Sequence, residues 1–178
     1  MWCCLVGSEM CIRDSMDPAQ AAPYACSGLT AFSALKKIPT TSKDDWIIII
    51  GAGGVGINGI LLSPAVHKAK ILVIDNDPDK RKKAIEAGAN EAFSPDDETE
   101  IRNKIGIGAS AAIDFVGRPE TTDLGLSLVK KGGMVIVVGL YGGSLKISLP
   151  LVPMKSMTLR GSYVGELREL KELVNIIK

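Results

Sequence analysis

Short apolar segments alternate with amphipathic ones along most of this chain. Six of them are β-branched, mostly apolar on both faces and bounded by Gly, Pro or Asp, as buried parallel strands are. They are WIIII (46–50), ILVID (71–75), EAF (91–93), AAIDFV (111–116), MVIVVG (134–139) and MTLRGSYV (157–164). Helical patterns fall between them, after a glycine-rich turn at 51–56 and over 78–87, 98–104, 121–130 and from 166 onward. This alternation predicts a doubly wound α/β fold, whose mostly parallel six-stranded sheet carries helices on both faces.

Capping residues mark the ends of several predicted helices. Asp77 is placed to cap the helix over 78–87, with Pro78 at its first position and Gly88 just past its end. The pair Gly132–Gly133 is expected to end the helix over 121–130. The last helix has an apolar stripe at helical spacing, formed by Leu167, Leu170, Val174 and Ile177.

Two residues near the end of the helix after the glycine turn need separate interpretation. Pro64 lies in the helix interior, where proline removes a backbone donor, so we expect an early helix end or a cost of about 3 kcal/mol. His67, the only histidine, follows it and is interpreted as an exposed residue at the helix end.

Composition narrows the function classes. A chain of 178 residues with 46% hydrophobic residues suits one globular domain. The 21 basic and 20 acidic residues are well mixed, so neither nucleic-acid nor membrane-surface binding is predicted. No apolar run approaches the roughly 18 residues of a transmembrane helix. Three of the four cysteines lie within the first 11 residues, which is not a disulfide framework and therefore predicts a cytoplasmic location.

The turn after the first strand has the spacing G-x-G-x-x-G, formed by Gly51, Gly53 and Gly56. In a dinucleotide-binding turn the first glycine permits the tight turn, the second lets a diphosphate approach the backbone, and the third lets the helix pack closely on the sheet. The helix would then start at Gly54 and Val55, where free amides and the positive end of the dipole favour phosphate binding. A glycine turn used only for packing is the alternative.

Asp75 ends the second predicted strand, 19 residues after Gly56. An acid at this position accepts the two hydroxyls of an adenosine ribose in dinucleotide-binding proteins. It would also repel a 2′-phosphate, and the arginine that follows, Arg81, is not adjacent, so NAD is favoured over NADP. Together the turn and the acid predict a Rossmann-like NAD-binding domain, whereas a solvated acid at a strand end is the alternative for Asp75.

Two other nucleotide-binding folds also use glycine turns. A P-loop needs Lys and Ser or Thr after its last glycine, and this chain has Ile57 and Asn58 there. A methyltransferase is disfavoured by the six-strand pattern and by the segment before Trp46, but it is not excluded.

The first fifteen residues, MWCCLVGSEMCIRDS, differ from the remainder. They lack the basic leader of a signal peptide, and MCIRDS (10–15) resembles the translation of a sequencing-library adapter. Residues 1–15 are therefore predicted to be non-native, with a native disordered extension as the alternative. Residues 16–178 form the predicted NAD-binding domain, which is expected to be truncated at both ends. The adapter-like segment indicates a partial gene at the first end, and the last helix reaches Lys178 without a cap at the other.

With these features placed, the chain resembles the zinc-containing alcohol dehydrogenases of the medium-chain dehydrogenase/reductase family. The matching segments are ACSGLT (25–30), GAGGVG (51–56), VID (73–75), DFVG (114–117), KGGMVIVVGLYGG (131–143) and LRGSYVGELREL (159–170). The resemblance implies an enzyme that passes a hydride between a small alcohol or carbonyl compound and NAD.

The resemblance also implies residue roles. Cys26 would be a ligand of the catalytic zinc, and Thr30 would lie against the nicotinamide as the catalytic residue of this chain. On the adenosine side it implies Val116 and Gly117. Near the nicotinamide it implies Gly139, Leu140, Ser162 and Tyr163. For each of these residues, strand-end packing or turn formation is the alternative, and for Cys26 it is the role of a small core residue.

A catalytic zinc needs three protein ligands, and Cys26 is the one candidate in this sequence. The resemblance places the others in an N-terminal domain, so the chain is predicted to bind NAD weakly without oxidising alcohols. It also implies a homodimer or homotetramer that pairs through the strand at 157–164. Two alternatives are a zinc-free, NADPH-dependent quinone or enone reductase of the same family and a non-catalytic NAD-sensing module.

Overall fold

The computed structural model describes residues 21–177, so the segment predicted to be non-native at 1–15 lies outside the described residues. The strands are β1 Trp46–Ile50, β2 Lys70–Ile74, β3 Glu91–Phe93, β4 Ala109–Asp114, β5 Val129–Val137 and β6 Thr158–Gly161. The α-helices are α1 Ser27–Lys36, α2 Gly54–Val66, α3 Pro78–Glu86, α4 Glu98–Ile105, α5 Pro119–Leu128, α6 Leu151–Lys155 and α7 Leu167–Ile177, and a 3₁₀ helix, Ala22–Ala25, precedes α1.

The six strands form one sheet in the order β3-β2-β1-β4-β5-β6, and every neighbouring pair is parallel. The predicted fold is therefore confirmed. The strand order reverses between β1 and β4, and ligands of such sheets bind in the crevice beyond the carboxyl ends of the strands at this reversal. Ile50 pairs with Ile74 on one side and with Asp114 on the other, so three strands end at one level.

The central strands of the sheet are apolar on both faces because helices cover both. Ile47 and Ile49 of β1 pack in a cluster with residues of α1, α2, α3 and α7. Ile48 and Ile50 point the other way, into a cluster with residues of α4 and α5. This two-sided burial accounts for the uninterrupted run of isoleucines. Within residues 21–177, no helix has both the length and the apolar character needed to cross a bilayer.

The predicted end of the helix over 121–130 is wrong. α5 ends at Leu128, β5 begins directly at Val129, and Gly132–Gly133 lies inside the strand. The register shifts there, since Ala109 pairs with Val129 but Ala111 pairs with Met134. A Cβ on Gly133 would stand 2.8 Å from the carbonyl oxygen of Lys130, so the glycine accommodates this irregularity instead of ending a helix.

The expectation of an exposed His67 is also wrong. His67 is 8% exposed, and its Nε2 lies 2.9 Å from the carbonyl oxygen of Leu35, near the end of α1. Its Nδ1 lies 3.3 Å from Thr41 Oγ1. The Leu35 carbonyl also accepts a bond from the Ile38 amide at 3.0 Å, so the ring adds a second contact at the end of α1. Pro64 does not stop α2 at once, because the helix continues to Val66.

The other helix ends agree with the sequence prediction, whereas the predicted buried face of α7 is partly wrong. Asp77 caps α3, since its Oδ1 accepts hydrogen bonds from the amides of Asp79 and Lys80 at 2.9 and 3.4 Å. In α7, Leu173 is fully buried, whereas Leu167, assigned to the apolar stripe, is 41% exposed. The sequence pattern did not predict α1 or α6.

Candidate functional site

The glycines after β1 have different surroundings. Gly51 has φ +92°, and a Cβ there would stand 2.7 Å from Val116 Cγ2. A Cβ on Gly56 would stand 1.9 Å from the carbonyl oxygen of Gly51. A Cβ on Gly53 would meet nothing within 4 Å. The fold therefore requires Gly51 and Gly56, whereas the backbone at Gly53 is open to a ligand.

The part of this turn that is exposed to solvent is the start of α2. The helix begins at Gly54, and its N-cap residue is Gly53, which has no side chain to cap the first amides. The first amides of a helix have no intrahelical acceptor and carry its positive dipole end. Gly53 and Gly54 are exposed and Val55 is half-buried, so this surface suits an anion.

Asp75 lies next to the turn. It follows β2 directly and is 7% exposed. Its Oδ2 accepts a hydrogen bond from the Ala52 amide at 2.7 Å, and its Oδ1 accepts one from the Asp77 amide at 2.9 Å. The first bond fixes the carboxylate to the glycine turn, 23 positions away in sequence.

A cavity of about 450 Å³ opens at this point of the sheet edge. Three of the predicted site residues line it, namely Gly51, Asp75 and Val116. The lining residues that the sequence analysis missed include Asn76, Lys80, Pro95, Arg118, Thr121, Leu124 and Tyr141. Arg118 directly follows DFVG and Tyr141 lies in VGLYGG, so the position just past a strand end was the available signal for both.

Asp114 anchors the loop after β4. Its side chain is fully buried. Oδ1 accepts hydrogen bonds from the amides of Val116 and Gly117, both at 2.9 Å. Oδ2 accepts bonds from the hydroxyls of Thr121 and Thr122 at 2.8 and 2.7 Å. These bonds satisfy a buried carboxylate that would otherwise be costly, and they hold the loop that presents Val116 to the cavity.

Gly117 and Gly139 join the loops after β4 and β5. Gly117 has φ +76°, and a Cβ there would stand 2.0 Å from the carbonyl oxygen of Gly139. A Cβ on Gly139 would stand 2.1 Å from the carbonyl carbon of Val116. Both glycines, with Leu140, line a second cavity of about 380 Å³. Close backbone packing alone accounts for glycine at both positions.

The residues predicted near zinc and the nicotinamide lie outside the first cavity. Cys26 is exposed just before α1, and its carbonyl oxygen accepts a bond from the Thr30 amide at 2.9 Å. Asn58 Nδ2 donates to Ser27 Oγ at 3.3 Å, which joins the start of α1 to α2. Ser162 and Tyr163 line a third cavity of about 490 Å³.

Ser162 and Tyr163 differ in exposure. The Ser162 side chain is buried, and its hydroxyl has no hydrogen-bond partner within residues 21–177. Tyr163 is 77% exposed. The structure therefore distributes the predicted nicotinamide-side residues over the carboxyl edge of the sheet and does not bring them into one cavity.

A zinc site is not completed by the described residues. In the part of the chain from 21 to 177, no group of three or more His, Cys, Asp or Glu side chains could hold a metal ion. Cys26 alone does not provide the three protein ligands that a catalytic zinc requires.

The strongest electrostatic perturbation lies at the opposite edge of the sheet. Asp45 precedes β1, and Lys130 Nζ, 2.7 Å from its Oδ1, holds the pKa of this carboxyl well below its usual value. A hydrogen bond from Ser110 Oγ at 2.5 Å adds to the effect. Because these residues lie at the amino ends of β1, β4 and β5, the cluster stabilises the sheet away from the cavity.

The parallel sheet, its strand order and the glycine turn at the order reversal define a Rossmann-type nucleotide-binding domain. Residues 54–178 match the family model of zinc-binding dehydrogenases. The chain belongs to this family, and the relatives that it matches include several alcohol dehydrogenases, as the sequence motifs implied.

Individual relatives agree with this assignment. An NAD-dependent alcohol dehydrogenase of Sulfolobus acidocaldarius is 37% identical over 133 residues, which cover 74% of this chain and 38% of that protein. A D-arabinose 1-dehydrogenase (NADP(+)) of Saccharolobus solfataricus is 33% identical, over 92% of this chain and 48% of that protein. The crystal structure of an Aeropyrum pernix alcohol dehydrogenase superposes with a TM-score of 0.85 at 30% identity, over 92% of this chain and 49% of that one. The chain thus spans about half the length of these relatives or less.

Proposed function

We propose that this chain is the NAD(H)-binding domain of a zinc-dependent alcohol dehydrogenase. One observation carries the proposal. The exposed helix start at Gly53 and Gly54 lies beside Asp75, whose carboxylate bonds to the Ala52 amide at 2.7 Å. A diphosphate and a ribose are neighbours in a dinucleotide, and this arrangement offers one binding group to each.

The hydrogen bonds of Asp75 leave room for a ribose. An ionised carboxylate has about four lone-pair positions, and the amides of Ala52 and Asp77 occupy one on each oxygen. One acceptor position on each oxygen is then free for the two ribose hydroxyls. The amides at the start of α2 would bind the diphosphate beside it.

NAD is the proposed form of the coenzyme. A 2′-phosphate would meet the Asp75 carboxylate. Arg81 lies nearer than its sequence position suggests, because its Nη1 donates to the carbonyl oxygens of Asp75 and Asn76 at 2.8 and 3.0 Å. Its charge counts against this repulsion, so the Asp75 carboxylate itself is the reason for proposing NAD. Since one relative is named for NADP(+), both coenzymes belong in the test.

The reaction proposed for the intact enzyme interconverts a small alcohol with its aldehyde or ketone. Bound NAD would supply the hydride acceptor. The residues proposed to orient its nicotinamide half are Thr30, Gly139, Leu140, Ser162 and Tyr163, and Cys26 is proposed as one zinc ligand. Because residues 21–177 do not complete a zinc site, we expect this chain to bind NAD without turning over alcohols.

Calorimetric titration of the 178-residue chain with NAD and NADP tests the proposal. We expect NAD to bind more tightly than NADP, and Asp75→Ala to weaken NAD at least about tenfold, because two hydrogen bonds to a charged group are lost. The exposed acid Asp44 provides the matched control Asp44→Ala. The proposal would be overturned if the folded chain released no heat with either coenzyme. Measurable turnover of an alcohol would overturn the expected inactivity.

The edge of the sheet supports a proposal about assembly. β6 ends the strand order, and all four of its residues are exposed. We propose that the intact enzyme forms a homodimer or homotetramer through this edge, in a cytoplasmic setting. Ser162 directs its amide to Val137 of β5, so by alternation the amide of Leu159 faces away from β5. Leu159→Pro would remove this backbone donor from the free edge, and light scattering of the full-length enzyme should show a smaller assembly for this variant. An unchanged mass would contradict pairing through β6.

A further inference from the structure

Arg118 and Tyr141 form a stacked pair at the cavity that holds Asp75. The Cζ atom of Arg118 lies 3.6 Å from the centre of the Tyr141 ring. Both residues line the cavity of about 450 Å³. They come from different loops, Arg118 just before α5 and Tyr141 after β5.

The backbone holds these two loops together. The Tyr141 amide donates to the Val116 carbonyl oxygen at 3.4 Å, and the Gly142 amide donates to the Gly117 carbonyl oxygen at 3.2 Å. The Arg118 amide donates to Thr121 Oγ1 at 3.0 Å. The backbone at both members of the pair is therefore fixed, and the long side chain of Arg118 is the part that still needs orienting.

The Tyr141 ring is the group on which the Arg118 guanidinium lies. Within residues 21–177, the Arg118 guanidinium makes no ion pair with a carboxylate and instead stacks on the Tyr141 ring. The ring itself is 68% exposed, so core burial does not account for its position. A guanidinium is flat and stacks on aromatic faces, and with one face against Tyr141 its other face is available to a second flat group.

The cavity suits a purine base as that second group. Its wall includes the apolar side chains of Ile74, Pro95 and Leu124. Aromatic bases bind between apolar surfaces and flat cations. A ribose held by Asp75 would bring its attached base into this same space.

We propose that Tyr141 is a positioning residue, which holds the Arg118 guanidinium flat so that its free face stacks on the purine base of the bound dinucleotide. This inference rests on the proposed function and adds to it a residue that acts through Arg118. Loss of the ring would free the side chain of Arg118 and weaken binding on the adenosine side.

Calorimetric titration of the 178-residue chain with NAD and with ADP-ribose, which lacks the nicotinamide, tests this role. We expect Tyr141→Ala to weaken both ligands about three- to tenfold, the range of a cation–π contact. Tyr141→Phe keeps the ring and should stay within about twofold of the wild type. Arg118→Lys should weaken binding as Tyr141→Ala does, because an ammonium is not flat. Ile107→Ala, at an 87% exposed site near the amino end of β4, is the control and should have no effect.

A double-mutant cycle separates positioning from direct contact. If Tyr141 acts through Arg118, Tyr141→Ala should have no further effect in an Arg118→Ala background. An undiminished loss in that background, or a loss in Tyr141→Phe as large as in Tyr141→Ala, would overturn the positioning role. So would unchanged binding by Tyr141→Ala in a chain that binds NAD. A wild-type chain that binds neither ligand would instead overturn the proposed function.

Discussion

Two glycines of the turn differ in whether the fold has room for a side chain at their positions. A Cβ on Gly56 would overlap the carbonyl oxygen of Gly51, whereas a Cβ on Gly53 would have open space around it. In the G-x-G-x-x-G motif, the packing of α2 on the sheet therefore requires glycine at position 56 but not at position 53. Only the second has no account within the fold itself, which makes it the residue to test for ligand binding.

The pair Gly53→Ala and Gly56→Ala tests this division. Gly53→Ala should lower the free energy of unfolding by about 1 kcal/mol or less, yet weaken NAD at least about tenfold because the methyl group occupies the approach of the diphosphate. Gly56→Ala should cost about 3 kcal/mol or more through overlap with the backbone. Urea unfolding and calorimetric titration measure the two effects. Equal losses of stability in both variants would contradict the division.

At the scale of elements, the amino ends of three strands meet at Asp45. Its carboxylate accepts bonds from Ser110 of β4 and Lys130 of β5, and Oδ2 accepts one from the Ser42 amide at 2.8 Å. The Lys130 bond is the largest cause of the lowered pKa of this acid. The ionised form is therefore favoured in the folded state, and its stabilisation depends on pH.

Asp45→Asn should lower the free energy of unfolding at pH 7 by about 1–3 kcal/mol. The folded pKa lies below the unfolded value of 3.8, so the stabilisation is fully present above that value and is lost as the pH falls toward the folded pKa. The difference between wild type and variant should therefore shrink below about pH 4. Urea unfolding at pH 7 and pH 3 measures it, with Asp44→Asn as the control. A difference independent of pH would rule out the ionic contribution.

Burial along α7 gives a second test at this scale. Leu173 is fully buried among α1, α2 and the sheet, whereas Leu167 in the same helix is 41% exposed. Leu173→Ala should cost about 2–5 kcal/mol because it leaves a cavity. Leu167→Ala, which removes the same atoms at the helix start, should cost about 1 kcal/mol or less. Chemical denaturation of both variants checks the order, and the reverse order would contradict the packing of α7.

At the scale of the whole molecule, the Asp45 cluster and the proposed binding site lie at opposite ends of the strands. The Asp45 cluster joins the amino ends of the strands, and the glycine turn, Asp75 and the cavity lie at the carboxyl ends. Parallel strands bring all loops of one kind to the same edge, so residues far apart in sequence meet there. We therefore expect substitutions in the Asp45 cluster to change the free energy of unfolding and to leave the affinity for NAD unchanged.

NAD and chelators should have different effects on thermal unfolding. NAD at about 100 times its Kd should add about 2.7 kcal/mol of stability, which raises Tm by about 5–10 °C for a chain of this size. A zinc chelator should leave the NAD-induced rise in Tm unchanged, because the amides of the glycine turn and the Asp75 carboxylate are proposed to bind the coenzyme without a metal. Scanning calorimetry measures both. A smaller NAD-induced rise in the presence of the chelator would contradict this expectation.

Local patterns in the chain were sufficient for much of the domain. The six strands, the α3 cap at Asp77, the glycine turn and the acid at Asp75 were all predicted, because each depends on periodicity or spacing within a few tens of residues. Folding was needed for what depends on distant partners. Leu35 and Thr41 contact the buried ring of His67, and the register shift between β4 and β5 places Gly132–Gly133 in a strand.

The stacked pair of Arg118 and Tyr141 also could not be predicted from the sequence, because it depends on residues that are distant in sequence. The two residues are 23 positions apart, and no periodicity links a residue after β4 to one after β5. They meet because adjacent parallel strands end at the same edge and two glycines, Gly117 and Gly139, let the loops approach closely. Side-chain contacts between loops are set by this packing, which hydrophobic spacing along the chain does not encode.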